Sequence, residues 1–377
     1  MVDPPNPSVL MTVEQLRRRV PGGIGAYARG LLRGLHQCAE SGERIDLTLL
    51  ASRAPNGQPD PLTKLGVPLV TSRLPGVVLT RAWDRGWARI PNGFDVVHSV
   101  SLAAPPHREA LRSVVTVHDL AWRRHPESTT KRGRRWHEAA LIRARQSGAS
   151  LVVTSNFVSA DLVDAGVSPD RITIVRGGSD HLVPEDTAAT QALLDQLGVR
   201  GGEFLLTVST LEPRKNISRL LQAYSSIRSS LPEPWPLVIV GPSGWGTAVP
   251  RRQQEGVVLT GQVDDEVLSG LYARARAFAY VPLTEGYGLP PLEAMRMGLP
   301  AVVSSEVPSV HDLLQPDPAP ALIVDPLQVD DIAQGLTQVL IDDAVRHDLA
   351  TRGEAFARQR TWRVAAEEHM ALWRSLV

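Results

Sequence analysis

AFAYVPLTEGYGLPPLEAMRMGLPAVVSS, residues 277–305, is the stretch that decides the fold of this chain. It begins with an apolar run typical of a buried strand and passes through a glycine turn into a short helix. It ends in a second apolar run, residues 300–304. This order of strand, helix and strand predicts a parallel sheet with helices packed on its faces.

Two glutamates flank the glycine turn in this stretch. Glu285 precedes the turn, and Glu293 lies on the helix predicted to begin near Leu289. Glycines let backbone N–H groups approach a ligand closely, and a helix N-terminus favours an anion. Carboxylates repel phosphate but accept hydrogen bonds from sugar hydroxyls. The combination predicts a site for a phosphorylated sugar.

Apolar runs alternate with helix-patterned segments along most of the chain, except in residues 54–92, which give no clear pattern. Strands are predicted at 8–13, 45–51, 95–100, 113–118, 151–155, 172–175, 204–209, 237–241, 257–260, 277–282, 301–304 and 322–324. Helices are predicted at about 26–39, 132–146, 157–165, 217–231, 265–275, 291–297, 329–343 and 361–376. The pattern predicts an α/β protein of two doubly wound, Rossmann-like domains.

The domain prediction divides the chain near residue 185. Residues 1–185 form the first domain, and residues 186–360 form the second. The final helix, residues 361–377, carries Trp362 and Trp373 and is expected to pack back on the first domain. Because open parallel sheets bind ligands at the carboxyl ends of their strands, two such domains are expected to face each other across a ligand-binding cleft.

Composition excludes several classes of protein. The chain of 377 residues has 40 basic and 40 acidic residues, which argues against a nucleic-acid partner recruited by bulk charge. The one cysteine, Cys38, excludes an intramolecular disulfide, and we expect it on the buried face of the first helix. The sequence has no D-x-D string and no His/Asp cluster with metal-ligand spacing, so no metal is predicted.

Several loops that follow predicted strands carry groups suited to a nucleotide sugar. In TLEPRKN, residues 210–216, Arg214 offers a fork of donors and Lys215 a compact charge, a pair that can clamp a diphosphate. The turns at 241–244 and 261–264 each end a strand, and the loop PGGIG, residues 21–25, precedes the first long helix. His118 ends the apolar strand VVTV, and its imidazole can donate or accept a hydrogen bond near neutral pH.

These strings together resemble retaining glycosyltransferases of family four, which have the two-domain architecture called GT-B. The element from Glu285 to Glu293 resembles the E-x7-E motif of that family, and EPRKN at 212–216 resembles its diphosphate-binding string. The PGGIG and TVHDL strings are similar to those of the mannosyltransferase-like branch. The resemblance covers nearly the whole chain.

The resemblance implies roles for particular residues. Catalysis would rest on His118, Glu285, Arg214 and Lys215. The donor would contact Gly23, Gly25, Ser209, Arg214, Lys215, Gly241, Gln262, Val263, Glu285, Gly286, Tyr287, Gly288, Leu289 and Glu293. Within that set, Glu285 and the backbone amides that follow would hold the sugar, Glu293 the ribose diol, and Gln262 and Val263 the neighbourhood of the base.

The function expected from this resemblance is transfer of a hexose from a nucleoside diphosphate sugar to a hydroxyl of a glycan or lipid-linked acceptor. GDP-mannose is the first choice of donor and a UDP-hexose the second, and neither a cofactor nor a metal is expected. A non-catalytic two-domain sugar-binding protein and a nucleotide-sugar epimerase stay open as alternatives.

The N-terminus has no secretory signal pattern, and no apolar run reaches the roughly 18 residues of a spanning helix. A cytoplasmic protein is therefore expected. The basic stretch 130–136, TKRGRRW, and the tryptophans Trp83 and Trp87 form either solvated helix faces or a contact for anionic lipid headgroups at the inner face of the membrane.

Overall fold

The computed structural model describes residues 6–18, 20–54, 60–107, 111–183, 187–199, 203–244, 254–311 and 318–377. The chain divides into two compact units: unit 1 is Met1–Gly178 with Thr361–Val377, and unit 2 is Ser179–Arg360. The boundary expected near residue 185 lies outside the described residues. The division falls after residue 178, and a second one follows residue 360.

Unit 1 contains a parallel sheet with the order β3-β2-β1-β4-β5-β6-β7 in the described part of the chain. Its strands are β1 (Ser8–Thr12), β2 (Asp46–Ala51), β3 (Leu69–Thr71), β4 (Val96–Ser99), β5 (Arg112–Val117), β6 (Ser150–Val153) and β7 (Ile172–Ile174). Its helices up to residue 178 are α1 (Gly22–Glu40), α2 (Gly76–Asp84), α3 (Ala121–Arg124), α4 (Lys131–Gln146) and α5 (Asn156–Asp164). The central strands are buried on both faces, as the continuous apolar runs predict.

Unit 2 repeats this architecture with the order β10-β9-β8-β11-β12-β13, again parallel throughout its described residues. Its strands are β8 (Leu205–Val208), β9 (Leu237–Val240), β10 (Val257–Gly261), β11 (Ala277–Tyr280), β12 (Ala301–Ser304) and β13 (Leu322–Val324). Its helices are α6 (Ala188–Gln196), α7 (Ile217–Arg228), α8 (Asp265–Arg274), α9 (Leu289–Arg296), α10 (Pro308–His311), α11 (Val329–Ile341) and α12 (Asp343–Arg358).

The final helix, α13 (Trp362–Ser375), belongs to unit 1 and packs against α1. Its first turn is capped by Thr361, whose side chain accepts a hydrogen bond from the Val364 N–H. Trp362 and Trp373 are completely buried. Gly34 of α1 allows the close approach, because a Cβ at that position would lie 2.0 Å from the backbone oxygen of Trp362.

The prediction of two parallel α/β domains is confirmed, and so is the buried position of Cys38 on α1. Six of the elements named above were not predicted: β3 and α2, in the stretch 54–92, and the helices α3, α6, α10 and α12. Strand β3 has only three residues, and α12 buries mainly Leu349, Phe356 and small residues, so neither shows a strong period. Within the described residues, no helix combines the length and apolar character needed to cross a bilayer.

In both sheets the strand order reverses between two neighbouring strands, which is where open α/β sheets bind ligands. The reversal lies between β1 and β4 in unit 1, and between β8 and β11 in unit 2. The loops that leave the carboxyl ends of these strands are therefore the places where a site is expected.

Candidate active site

The loops after β8 and β11 are tied together at the reversal point of unit 2. The Leu283 N–H donates to the carbonyl oxygen of Arg214 at 2.8 Å. Asn216, in the left-handed region at a φ of 58°, donates from Nδ2 to the carbonyl oxygens of Val281 (2.9 Å) and Pro326 (2.7 Å). Since Asn tolerates this conformation better than other non-glycine residues, Asn216 ends the turn Pro213–Lys215 and turns the chain into α7. Both basic side chains are thereby fixed beside the second loop.

Four charged side chains and one tyrosine form a buried cluster in this place. Lys215 Nζ donates to Glu285 and, at 2.9 Å, to Tyr280 Oη, which in turn donates to Glu285 Oε1 at 2.9 Å. Arg214 pairs with Glu285 at 3.1 Å and with Glu212 at 2.9 Å. Glu285 and Glu212 are less than one-tenth exposed. The cluster, which we call the Arg214–Lys215–Glu285 cluster, contains two cations and two carboxylates.

Glu285 is ionised in this surrounding. Burial alone would raise the pKa of its carboxyl, but Arg214 and Lys215, with the hydrogen bonds from Lys215 and Tyr280, lower that pKa from 4.5 to about 2. Burial lowers the pKa of the Lys215 ammonium, while the Glu285 charge acts in the opposite direction. An ionised Glu285 can only accept hydrogen bonds. It is therefore a suitable acceptor for the O–H group that a sugar hydroxyl donates.

Glu293 lies on α9 in a second buried cluster, with partners of its own. Tyr272 donates to Glu293 Oε2 at 2.9 Å, and His181 Nε2 lies 3.2 Å from Glu293 Oε1. Burial would lower the pKa of His181, but the hydrogen bond and charge of Glu293 outweigh it and raise that pKa above 6.5. Among the residues that the structure describes, each carboxylate oxygen of Glu293 thus has a side-chain partner, and a carboxylate oxygen has more lone pairs than one partner uses.

The glycine turn between the two glutamates leads into α9. Gly288 has a φ of 99°, the conformation that favours glycine, and it is the residue before Leu289. The turn is held by Ser309, whose N–H donates to the Tyr287 carbonyl at 2.9 Å and whose Oγ donates to the Gly288 carbonyl at 2.7 Å. The predicted E-x7-E element therefore follows β11 and consists of a turn, held by Ser309, and the first residues of α9.

The loops after β8 and β9 also approach each other closely. A Cβ on Gly241 would lie 2.0 Å from the carbonyl oxygen of Ser209, and Gly241 has a φ of 145°. Ser209 Oγ is buried and has no hydrogen-bond partner among the described residues. At the end of β10, Gln262 is exposed and Val263 packs partly against the core of unit 2.

In unit 1, the predicted residues lie at the carboxyl ends of β1 and β5. The first turn of α1 contains Gly22, Gly23 and Gly25. Position 25 has no space for a side chain, because a Cβ there would lie 2.3 Å from Pro21 Cβ. His118 follows β5 directly and is partly exposed. Its Nε2 lies 2.8 Å from the carbonyl oxygen of Val100, so Nε2 carries the proton and Nδ1 is an acceptor. Burial lowers the pKa of His118, which keeps the ring neutral.

The structure brings Arg214, Lys215 and Glu285 into one cluster and holds Glu293 in a separate one. Sequence reasoning missed four partners: Glu212, Tyr280, Tyr272 and His181. Glu212 stands inside the EPRKN string and Tyr280 ends the strand before Glu285, so both were close to a recognised signal. Tyr272 and His181 lie in no motif that the sequence analysis recognised. The described residues contain no group of three or more His, Cys, Asp or Glu arranged to hold a metal ion.

Comparison with known families gives two matches that cover both halves of the chain. Residues 193–356 match the family "Glycosyl transferases group 1", and residues 21–181 match "Glycosyltransferase Family 4".

Two curated proteins illustrate the sequence similarity. The O-antigen chain mannosyltransferase B of Escherichia coli is 35% identical over 265 residues, which are 68% of this chain and 68% of that protein. The MMP alpha-(1->4)-mannosyltransferase of Mycolicibacterium hassiacum is 25% identical over 406 residues, with 94% of this chain and 95% of that protein covered.

Among solved structures, Anabaena Alr3699/HepE in complex with UDP and glucose superposes with a TM-score of 0.71. The match covers 98% of this chain and all of that one, at 17% sequence identity. This similarity shows a shared two-domain fold.

Proposed function

This chain belongs to the group 1 and family 4 glycosyltransferases, and from that premise we propose that it moves a hexose, with retention at the anomeric carbon, from a nucleoside diphosphate sugar to an acceptor hydroxyl. It is a glycosyltransferase, so the expectation of an enzyme is confirmed and the alternative of a non-catalytic sugar-binding protein is set aside. The donor, the stereochemistry and the acceptor are the proposal.

The observation that carries the proposal is the Arg214–Lys215–Glu285 cluster at the reversal point of unit 2. Lys215 has three N–H donors, and its partners among the described residues are Tyr280 and Glu285, so we assign the third N–H to a phosphate oxygen. Charge develops on that oxygen as the glycosidic bond of the donor breaks. A fixed cation beside it stabilises the transition state more than the ground state, without reorganisation.

The other residues complete a donor site in the same proposal. Ionised Glu285 and the amides of Gly286, Tyr287, Gly288 and Leu289 hold the sugar. Glu293, held by Tyr272 and His181, binds the ribose diol, and Gln262 and Val263 lie beside the base. We assign His118 Nδ1 to a sugar hydroxyl, and the backbone of Gly23 and Gly25 to the diphosphate or the acceptor. The reaction needs neither metal nor cofactor, since Arg214 and Lys215 supply the positive charge.

For the donor sugar we propose mannose, carried by GDP. The names of both curated relatives support mannose, whereas the solved neighbour that holds UDP and glucose supports a UDP-hexose as the second candidate. A thermal-shift panel of GDP, UDP, ADP and dTDP separates them, because a ligand that binds only the folded state raises Tm. A rise in Tm with UDP alone would contradict GDP-mannose as the donor. Analysis of the products formed without an acceptor tests the alternative of an epimerase, which would convert the nucleotide sugar itself.

For the acceptor we propose a glycan or lipid-linked hydroxyl reached at the inner face of the membrane. In unit 1, Trp87 is 74% exposed and Val77 is 67% exposed, and the Arg85 guanidinium lies 5.1 Å from the centre of the Trp87 ring. Trp83 is only 2% exposed, so the expectation that it lies on this surface is wrong. Helix α2 is joined to the basic helix α4 because Asp84 accepts from Trp136 Nε1 at 2.9 Å and pairs with Arg143. Exposed arginines beside an exposed tryptophan suit an anionic lipid surface.

Cosedimentation with phosphatidylglycerol vesicles tests this surface. We expect binding that falls with salt, is absent with phosphatidylcholine, and weakens in Trp87→Ala. The matched control is Leu327→Ala, which removes a side chain 58% exposed in unit 2 and should bind as the wild type does. Equal binding of both variants would contradict the lipid contact.

The experiment that tests the donor site is Lys215→Ala. Because one preorganised electrostatic donor is worth roughly 10²–10³ in kcat, we expect a fall of that size in sugar transfer. The control is Lys64→Ala, which removes an exposed lysine from unit 1. Circular dichroism should show both variants folded. Turnover of Lys215→Ala within about twofold of the control would refute the assignment of Lys215 to the leaving diphosphate.

A further inference from the structure

Two buried aromatic side chains of unit 1, Tyr27 and His369, connect the last helix of the chain to His118. Tyr27 of α1 lies between His118, at the end of β5, and His369 of α13. Tyr27 is 2% exposed and His369 is completely buried. The proposed function gives no role to either residue, although a buried polar pair at this position is costly to place.

The hydrogen bonds of His369 define its state. Its Nδ1 lies 2.7 Å from the carbonyl oxygen of Ala365, one turn earlier in α13, so Nδ1 carries a proton. Its Nε2 lies 2.9 Å from Tyr27 Oη. In the neutral ring Nε2 is then an acceptor, and the Tyr27 hydroxyl donates to it. Both polar atoms of the histidine have partners, and the Tyr27 hydroxyl is held between His369 and Thr116, with which it also forms a hydrogen bond.

The ring of Tyr27 in turn contacts His118. The two ring centroids are 4.9 Å apart, and the planes are inclined at 82°, an edge-to-face arrangement. His118 is held on another side by its hydrogen bond to the Val100 carbonyl. The His118 imidazole is therefore held by one hydrogen bond, to Val100, and by one aromatic contact, to the Tyr27 ring. The position of the Tyr27 ring depends on where its hydroxyl is held.

His369 is fixed independently of Tyr27. Its ring stacks on His98 at 5.3 Å and contacts Trp373 at 5.7 Å. His98 is anchored to Thr116 of β5 at 2.8 Å. The α13 helix thus presents a rigid acceptor to Tyr27, built on packing against the sheet.

We propose that His369 is a positioning residue for His118, acting through Tyr27, so that the last helix of the chain sets the orientation in which His118 Nδ1 meets the donor sugar. The inference rests on the proposed contact of His118 with the sugar. It explains why a polar pair, and not two apolar side chains, joins α13 to α1 under the glycine turn.

Ring nitrogen NMR of the ligand-free protein tests the positioning step without any substrate. Spectra of ¹⁵N-histidine protein, with the His118 signals assigned from His118→Gln, should show one Nε2–H tautomer in the wild type. We expect His369→Phe to broaden or shift these signals, because the Tyr27 hydroxyl loses its acceptor on α13 and can turn only toward Thr116, its other partner. His369→Gln places an acceptor where Nε2 was, and should restore them.

Trp373→Phe is the matched control, since it alters a buried ring beside His369 without touching the hydroxyl of Tyr27. It should leave the His118 signals in place. If His369→Phe fails to fold, Tyr27→Phe breaks the same link by removing the hydroxyl, and the same change is expected. Unchanged His118 signals in these variants, or an equal change in Trp373→Phe, would overturn the proposal.

A double-mutant cycle on sugar transfer tests the consequence. We expect His369→Phe to lower kcat between about tenfold and 100-fold, as small misplacements of a positioning group do, with the Kd of the nucleoside diphosphate unchanged. In the His118→Ala background it should have no further effect. Additive losses would overturn the inference. Full activity of His118→Ala would instead refute the proposed role of His118, and the NMR result would still decide the positioning.

Discussion

At the scale of single residues, Glu285 shows how burial and charge compete. Its carboxylate is more than nine-tenths buried, which is unfavourable for a charge, and it stays ionised only because Arg214, Lys215 and Tyr280 surround it. Removing one partner of such a group leaves the others buried without compensation. Buried clusters of this type are therefore far more sensitive to substitution than surface ion pairs.

We predict that Glu285→Gln lowers the free energy of unfolding of unit 2 by about 3–5 kcal/mol at neutral pH, because Arg214 and Lys215 lose their shared counter-charge. The control is Glu233→Gln, which changes an exposed glutamate of the same unit. Urea denaturation measures both. A loss below about 1 kcal/mol for Glu285→Gln would mean that the cluster does not depend on this charge.

The pH dependence of this effect has a definite sign. The pKa of Glu285 is about 2 in the fold and 4.5 as the reference, so its contribution to stability is complete above about pH 4.5 and disappears as the pH falls toward 2. The difference in unfolding free energy between wild type and Glu285→Gln should therefore shrink over that window. A difference that stayed constant from pH 6 to pH 3 would contradict the lowered pKa.

At the scale of elements, the contact between α1 and α13 depends on glycines at one face of α1. A Cβ on Gly34 would lie 2.0 Å from the Trp362 carbonyl oxygen, and a Cβ on Gly30 would lie 2.0 Å from the Trp362 ring. The two helices can approach only because these positions have no side chain. The same contact carries the Tyr27–His369 hydrogen bond, so helix spacing and the geometry around His118 are linked.

We predict that Gly34→Ala destabilises unit 1 by about 1–3 kcal/mol, since a backbone atom cannot move as a flexible side chain can. Gly23→Ala, at a position with no atom within 4 Å of the added Cβ, serves as the control. It should be neutral or stabilising by up to about 1 kcal/mol, as alanine is the better helix former. Thermal unfolding distinguishes the two, and equal Tm values would show that the helices tolerate a wider spacing.

At the scale of the whole molecule, unit 2 is an insertion in unit 1. The chain leaves unit 1 after Gly178 and returns at Thr361. Within unit 2, the two ends are joined because the Ser179 N–H donates to the Arg360 carbonyl at 3.1 Å. Unit 1 therefore needs two separate pieces of chain, whereas unit 2 is continuous and has its own core.

We predict that removing residues 361–377 unfolds unit 1 and leaves unit 2 folded. The deletion takes away Trp362, His369 and Trp373, all completely buried in unit 1. Limited proteolysis with mass spectrometry should then digest residues before 178 quickly and protect a fragment near 179–360. Protection of the N-terminal residues equal to that in the full chain would show that α13 is dispensable for unit 1.

Local sequence patterns were sufficient to predict much of the fold and some residues of the candidate site. Apolar β runs separated by helices are recognisable one by one, and the glycine turn between Glu285 and Glu293 needs only neighbouring residues to form. Arg214 and Lys215 follow a strand in the same way. Short or weakly patterned elements such as β3 and α12 were not predicted, because their few buried residues show no clear period.

Contacts between distant residues were decided by packing alone. Tyr280 meets Lys215 across 65 positions, and His369 meets Tyr27 across 342. No local pattern encodes such a pair, since each side chain is ordinary for its own helix or strand. The amino-acid sequence by itself specified two parallel sheets, and it predicted the chemical type of the proposed donor site. The partners of Glu285, the support of Glu293 and the link from α13 to His118 exist only because parallel strands bring their carboxyl ends to one edge and helices pack to van der Waals contact.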